Sequence, residues 1–446
     1  MNNLAVHPTV MQHRARPEQP VGDPGPLDGN WLKQIVLDAG ADDVGFVEID
    51  RPEIAGERGE IQSIFPRART LISFVCRMNR ENIRSPARSI ANLEFHHTGD
   101  RTNEIAMRIV AALERKGIRA INGGAMGFPM EMDRWPERLW VVSHKPVAVA
   151  AGLGQMGIHR NVIHPTFGNF ILLGTVVMEA QVTAYSRPVD YNPCLECKLC
   201  VAACPTGAIH PDGHFDFAAC YTHNYREFMG GFSDWVETIA EAGGAREYRR
   251  RVSDPETVSM WQSLSFGPNY KAAYCLAVCP AGEDVIAPFL DDRKQYLEEQ
   301  VRPLQDKSET IYVVPGSDPE EYVARRFPNK RAKRVHNGLR PRSIRGFLSG
   351  LRLTFQRNQA KGLDAVYHFT FTGDEEVKAT VVIRNQTLRV SQGHVGKPSL
   401  RLKADSRTWL GFLAKEASLP WALLRGKVRL HGSPTLLMAF GRYFPS

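Results

Sequence analysis

Seven of the eight cysteines in this chain of 446 residues fall between Cys194 and Cys279. Four stand at fixed spacing, Cys194, Cys197, Cys200 and Cys204, with Pro205 directly after them. Thiolates are soft ligands, and this spacing has a physical use. Three of them on one tight loop reach three corners of an iron–sulfur cube, and the fourth, where the next helix starts, points at a second cube. Pro205 suits that helix start, where an amide donor is not needed. Zinc is the competing use. It takes four ligands in two knuckles, and this run does not divide that way. Cysteines this sparse and clustered do not form a disulfide scaffold. Cys76, alone at the end of a predicted strand, reads as a buried thiol.

A second run, Tyr274-Cys275-Leu276-Ala277-Val278-Cys279-Pro280, supplies the partner half. By the crossover logic Cys279 completes the cluster of Cys194, Cys197 and Cys200. Cys204 then joins Cys220 and Cys275, which makes only three thiolates. A cysteine at position 272 would restore C-x2-C-x3-C-P, and the chain has Ala272. The second cluster is therefore [3Fe–4S], or [4Fe–4S] with a non-cysteine fourth ligand, for which His223 is a candidate. Two clusters make an electron wire, so the preceding domain should house a redox cofactor or substrate.

The elements that must hold these residues follow from periodicity. Residues 1–28 are rich in Pro and Gly and predict a flexible arm. Trp31, Ile35 and Val36 share a helical face ending near Gly40. Strands are expected at 44–49, 71–76, 139–142 and 170–178, and a helix at 103–116. That alternation predicts an α/β domain over 29–190. Residues 191–290 form the cysteine domain, with a polar helical stretch at 234–262. Residues 291–342 read as a charged linker. The last hundred residues, 343–446, read as an α+β domain: a helix at 343–359, strands at 365–372, 377–385, 387–392 and 398–404, a helix capped by Asp405, a strand at 427–431 and a helix at 434–442.

The net charge of +8 is local. Twelve Lys and Arg and no acidic residue lie between Arg325 and Lys361, so the rest of the chain is mildly acidic. Nucleic acid is therefore not expected as a partner. Ile344, Phe347, Leu348, Leu351 and Phe355 alternate with arginines there, so contact of 325–361 with a membrane surface is considered. No apolar run reaches the ~20 residues needed to span a bilayer, and the N-terminus has no export signal, so a cytoplasmic location is expected.

Ala151-Gly152-Leu153-Gly154-Gln155-Met156-Gly157, then Ile163-His164-Pro165-Thr166-Phe167-Gly168-Asn169-Phe170, stand just before the cysteine run. With the two-cluster order, these residues resemble the epoxyqueuosine reductase and reductive dehalogenase superfamily over roughly 40–290. The glycine pattern is not a dinucleotide fingerprint, because it does not open a βαβ unit with an acidic residue ~20 positions on. The resemblance implies a nitroreductase-like α/β core with a two-cluster ferredoxin-like insert. It implies cobalamin as cofactor, lined by Gly152, Gly154, Gly157, His164, Gly168 and Asn169. Electrons would come from a low-potential donor of ferredoxin or flavodoxin type. Epoxyqueuosine reductases carry Asp-Thr-Ala-Pro about a dozen residues before the glycine loop, and its Asp is the expected proton donor. This chain reads Glu137 to Lys145 there without an Asp. The candidate donors become Glu137, His144 and His159, the last favoured for its near-neutral intrinsic pKa. His96 and His97 are further candidates to line the pocket.

Residues 343–446 resemble the sterol carrier protein type-two fold, through the Phe369–Asp374 strand and turn, Leu400–Asp405, Trp409-Leu410 and the Gly426–Gly432 strand. That resemblance implies an apolar tunnel, covered by Trp409, Phe412, Leu413, Trp421, Leu436, Leu437 and Phe440. The expectation is an oxidoreductase: a cobalamin- and iron–sulfur-dependent reductase of a hydrophobic small molecule, by reductive dehalogenation or deoxygenation. Epoxyqueuosine reductase itself, and a non-enzymatic electron carrier with a lipid-binding tail, are the alternatives.

Overall fold

The computed structural model describes residues 4–15, 25–124, 135–136 and 140–445. The first sheet is antiparallel throughout, in the order Asp43–Glu48, Thr70–Arg77, Ile171–Met178, Ala120–Asn122. Thr70–Arg77 is buried on both faces up to Arg77, which explains its nearly unbroken apolar sequence. Its side chains alternate between two cores. Ile72, Phe74 and Cys76 face the helices Gly29–Asp38 and Arg88–Glu114. Leu71 and Val75 face Val147, Ala148 and Ala150 of the helix His144–Ala150. The result is a helix–sheet–helix sandwich that presents residues 150–170 toward the cysteines.

Several expectations change here. The helix expected at 103–116 begins at Arg88. The predicted strand 139–142 does not form among its described residues, although Val141 and Val142 are buried. The arm 1–28 contains a helix, Pro8–Arg14, and Leu27 is bridged to Val182. The stretch 291–342 is not an irregular linker. It folds into helices, including Asp318–Arg326, and a parallel strand pair, Thr310–Val313 with Arg331–Arg334, over a small core of Ile311, Val313 and Val323.

Between Cys194 and Cys279 regular structure is short. A five-residue helix, Leu199–Ala203, precedes Cys204, and Phe217–Asn224 carries Cys220. The expected helical stretch 234–262 is three helices, Gly230–Glu241, Ala245–Arg251 and Asp254–Phe266.

The C-terminal sheet has the order Thr387–Gln392, Val377–Arg384, Ala365–Thr372, Leu400–Asp405, Val428–Gly432. Only the contact of Ala365–Thr372 with Leu400–Asp405 is parallel. Tyr367, Phe369 and Phe371 enter the core with Phe347 and Trp409. Asp405 caps the helix Ser406–Leu413 by accepting from the Thr408 amide. Trp421 is a correction: it is 61% exposed and covers no core.

Five of the twelve cations of the basic stretch are paired within the protein. Lys330 pairs with Glu309, Lys333 with Glu256, Arg334 with Glu320, Arg340 with Glu237 and Arg357 with Asp212, at 2.5–2.8 Å. Ile344, Phe347, Leu348, Leu351 and Phe355 are buried in the C-terminal core. The apolar face expected to meet a membrane is therefore inside the protein. No helix among the described residues is long and apolar enough to cross a membrane.

Candidate functional site

The structure gathers the seven clustered cysteines into two adjoining sets. Cys194, Cys197, Cys200 and Cys279 line one cleft, closed by Ile158, His159 and Pro280. Cys204, Cys220 and Cys275 pack together around Ala208, Ile209 and Ala219. The helix Leu199–Ala203 links the sets, since it carries Cys200 and runs into Cys204. Backbone conformation marks both loops. Glu196, Lys198 and Ala273 adopt φ of 50°, 64° and 56°, a left-handed region that costs non-glycine residues about 1–2 kcal/mol each. These turns curl the loops so that their thiols face inward.

Burial pushes the Cys275 and Cys279 thiols up to about 12, and neighbouring cysteines add to it. Cys197, Cys200 and Cys220 are raised for the same first reason. Alone, these groups stay protonated at pH 7. A bound cationic metal centre is what would let them ionise. No three His, Cys, Asp or Glu among the described residues converge closely enough for a single metal ion. A zinc ion draws its four ligands onto one atom, whereas thiolates at the corners of a cube stand further apart. The four thiols of the first set suit the corners of one iron–sulfur cube, and the second set offers three thiols.

His223 does not join the second set. It is buried against Tyr312, whose amide donates to its Nδ1 at 3.3 Å. Nearer the three thiols stand Thr206, 3.6 Å from Cys204 Sγ, and Asn161, 4.0 Å from Cys275 Sγ. Neither was singled out in the sequence, and no spacing signal could have found them.

The residues expected to hold a corrin are engaged inside the chain. Gly152 has φ 76° and Gly168 φ 64°, and a Cβ on either would strike the carbonyl oxygen of Arg187 or Ala281. A Cβ on Gly154 would strike Ile163, and one on Gly157 would crowd His159 and Ile163. His164 accepts from the Thr166 and Phe167 amides through Nδ1, so its Nε2 carries the proton it gives to Asp43 at 3.0 Å. Asn169 is bonded to His159 at 3.2 Å. The glycines thus answer a need of the chain's own packing.

His159 is 4% exposed. Its Nδ1 accepts from the Asn161 amide at 3.1 Å, so Nε2 bears the proton and the Asn169 amide must present its oxygen. Burial, then the charge of Lys145, pushes His159 down to about 4. The expected near-neutral pKa is corrected accordingly: the ring is neutral at pH 7. His144 bonds Thr175 Oγ1 at 2.9 Å through Nδ1, and burial pushes it too to about 4. Glu137 lies outside the described residues. His96 lines a different cavity, considered below, while His97 is exposed.

Comparison with known proteins adds three findings. Residues 187–210 match the 4Fe-4S binding domain, and residues 352–445 match the SCP-2 sterol transfer family. The chain is 29% identical over 110 residues to the epoxyqueuosine reductase of Vibrio cholerae serotype O1, covering 24% of this chain and 27% of that protein. It is 32% identical over 108 residues to that of Cyclobacterium marinum, covering 22% and 32%. The chain thus matches about a quarter to a third of the length of these curated relatives. Among solved structures, a reductive dehalogenase described as B12-dependent has a TM-score of 0.40 at 17% identity, covering 71% of this chain and 39% of that one. An epoxyqueuosine reductase solved with an epoxyqueuosine-modified tRNA-Tyr stem loop has a TM-score of 0.31 at 15% identity, covering 62% and 78%. The expectation that set nucleic acid aside is corrected by that complex, in which the neighbour is held with a tRNA stem loop.

Proposed function

We propose that this chain is an iron–sulfur oxidoreductase of the epoxyqueuosine reductase type, with a nitroreductase-like core, two clusters and cobalamin. The observation that carries the reading is the convergence of seven thiols into two adjoining sets, in a chain whose sequence relatives include epoxyqueuosine reductases. Clusters and corrin, when bound, supply single electrons at low potential. Cys194, Cys197, Cys200 and Cys279 hold the first cluster, and Cys204, Cys220 and Cys275 the second. Ile158, His159 and Pro280 wall the first set. Cobalamin rests on the sequence similarity alone, and no contact to it is assigned. The proton that accompanies the electrons is proposed to come from Glu137, or from His144 or His159 when the ring is protonated, which burial disfavours at pH 7.

The sequence relatives favour a modified tRNA nucleoside as substrate over a free organic molecule. Anaerobically purified enzyme, cobalamin and a chemical reductant should convert an epoxyqueuosine-bearing stem loop to its queuosine form. Unchanged RNA, with both clusters and cobalt present, would reject that substrate. Glu137→Gln, His144→Gln and His159→Gln then identify the donor as the site where turnover falls with iron content intact.

One observation favours a second reading, a hydrophobic substrate reduced by dehalogenation or deoxygenation. Residues 352–445 match a sterol transfer family, and a groove of about 710 Å³ runs between Leu348 and Arg352 on one side and Phe371, Val377 and Val390 on the other. Binding of a hydrophobic ligand there, together with an inert stem loop, would make this the better reading.

A further inference from the structure

A second cavity, of about 420 Å³, shares no residue with the cysteine-lined cleft. Its walls come from four distant segments: Arg88 and His96 of the long helix, His223, Lys271, and Lys307 with Glu309. The cations there are unevenly matched. Glu309 already accepts from Tyr274 and Lys330 and also pairs with Lys307 at 3.8 Å, so one carboxylate serves two lysines, and Lys271 is paired with the buried Glu227. Arg88 is buried, and it has no carboxylate partner among the described residues. Its Nη1 donates to the carbonyls of Ile83 and Ser85, while its Nε has no partner. Arg88 lies over the Tyr274 ring, 5.3 Å from its centre, and a buried guanidinium with no carboxylate in direct contact is costly.

His223 adds a neutral donor to the same wall. Because its Nδ1 accepts from Tyr312, its Nε2 carries the hydrogen, and that atom too has no partner. Two buried donors and an excess of cations describe a place for acceptor oxygens. The mouth is different in kind: Leu93 and Phe266 line it and are 48% and 70% exposed. We propose that this cavity binds a small organic anion, its carboxylate or phosphate toward Arg88, Lys271 and Lys307 and its apolar body toward Phe266.

The test is calorimetric titration of anaerobic holoenzyme with benzoate and with inorganic phosphate. Both should bind, and Lys307→Glu, at a partly exposed position, should weaken both at least tenfold. Phe266→Ala should weaken benzoate and leave phosphate unchanged, which separates an organic anion from a bare one. Arg88→Gln should abolish binding; where it loses iron through misfolding, Lys307→Glu decides. Equal binding to the parent and Lys307→Glu, or none to the parent, would overturn the proposal. So would Arg88→Gln shifting the spectrum of the second cluster without affecting anion binding, because Cys275 is also within electrostatic reach of Arg88. No turnover is measured, so the outcome is independent of the reductase reading.

Discussion

In Ala365–Thr372 the side chains of Tyr367, Phe369 and Phe371 enter one core, and across the sheet Ala379, Val381 and Ile383 do the same. Between Cys194 and Cys279 no such rhythm exists; loops with left-handed residues bring thiols together around small apolar side chains. The first region is ordered by water leaving apolar surface. The second buries thiols whose ionisation calls for a cationic centre among them. One chain thus carries a domain held by its own packing next to one whose loops are expected to draw stability from a bound metal centre.

Removing iron should separate them most sharply. Under anaerobic chelation, amide protection in 194–204 and 274–279 should fall by about 100-fold or more, as expected where metal binding is folding energy. Protection in 365–372 and 377–384 should stay as it was, by hydrogen exchange with mass spectrometry. Equal loss in both would make the two regions one cooperative unit and break the contrast. The converse change is Trp409→Ala. Trp409 is buried among Phe347, Phe369 and Phe371, so its loss should destabilise the C-terminal domain by about 3–5 kcal/mol, read by denaturant titration, with cluster absorption unchanged.

A smaller effect sharpens the cysteine side. Ala272 is buried where the crossover pattern calls for a cysteine, and its amide donates to Asn224. Ala272→Cys should add about one iron per chain if the second cluster is [3Fe–4S], with loss of that cluster's EPR signal. An unchanged iron count would mean that a non-cysteine group already holds the fourth iron.

The sequence was most legible where pattern and burial coincide. The five C-terminal strands came within two residues at every end, and the grouping of Cys279 with the first three cysteines is the grouping in the structure. Residues 88–102 were not read as helix because Thr98 and Thr102 are buried there with their hydroxyls bonded to neighbouring groups, including Thr102 to the Thr98 carbonyl. The strand Arg331–Arg334 has no apolar alternation, since its cations reach out to Glu256 and Glu320. It looked like a linker because its partners are far away in sequence. The glycine loop carries two readings at once, because tight packing and ligand approach ask for the same residue.

The two regions meet at Asp216, and the weakest expected effect lies there. Its carboxylate caps the helix Phe217–Asn224 through the Ala219 amide and accepts from Gln356 of the C-terminal part at 3.3 Å. Burial, opposed by the Ala219 bond and helped by Asp318, pushes it up to about 6. The unfolded carboxyl titrates near 3.8, so between these values the folded state binds more protons than the unfolded one. Its contribution is therefore fully present below about pH 4 and is lost as pH rises through about 6. Asp216→Asn removes the charge and keeps a capping oxygen. It should stabilise the joint by about 1–3 kcal/mol at pH 7 and by nothing near pH 4, read as a shift in denaturation midpoint on the C-terminal side. A loss of stability at pH 7 would mean that the ionised cap is worth more than its burial costs, and that the joint is held by the helix rather than by Gln356.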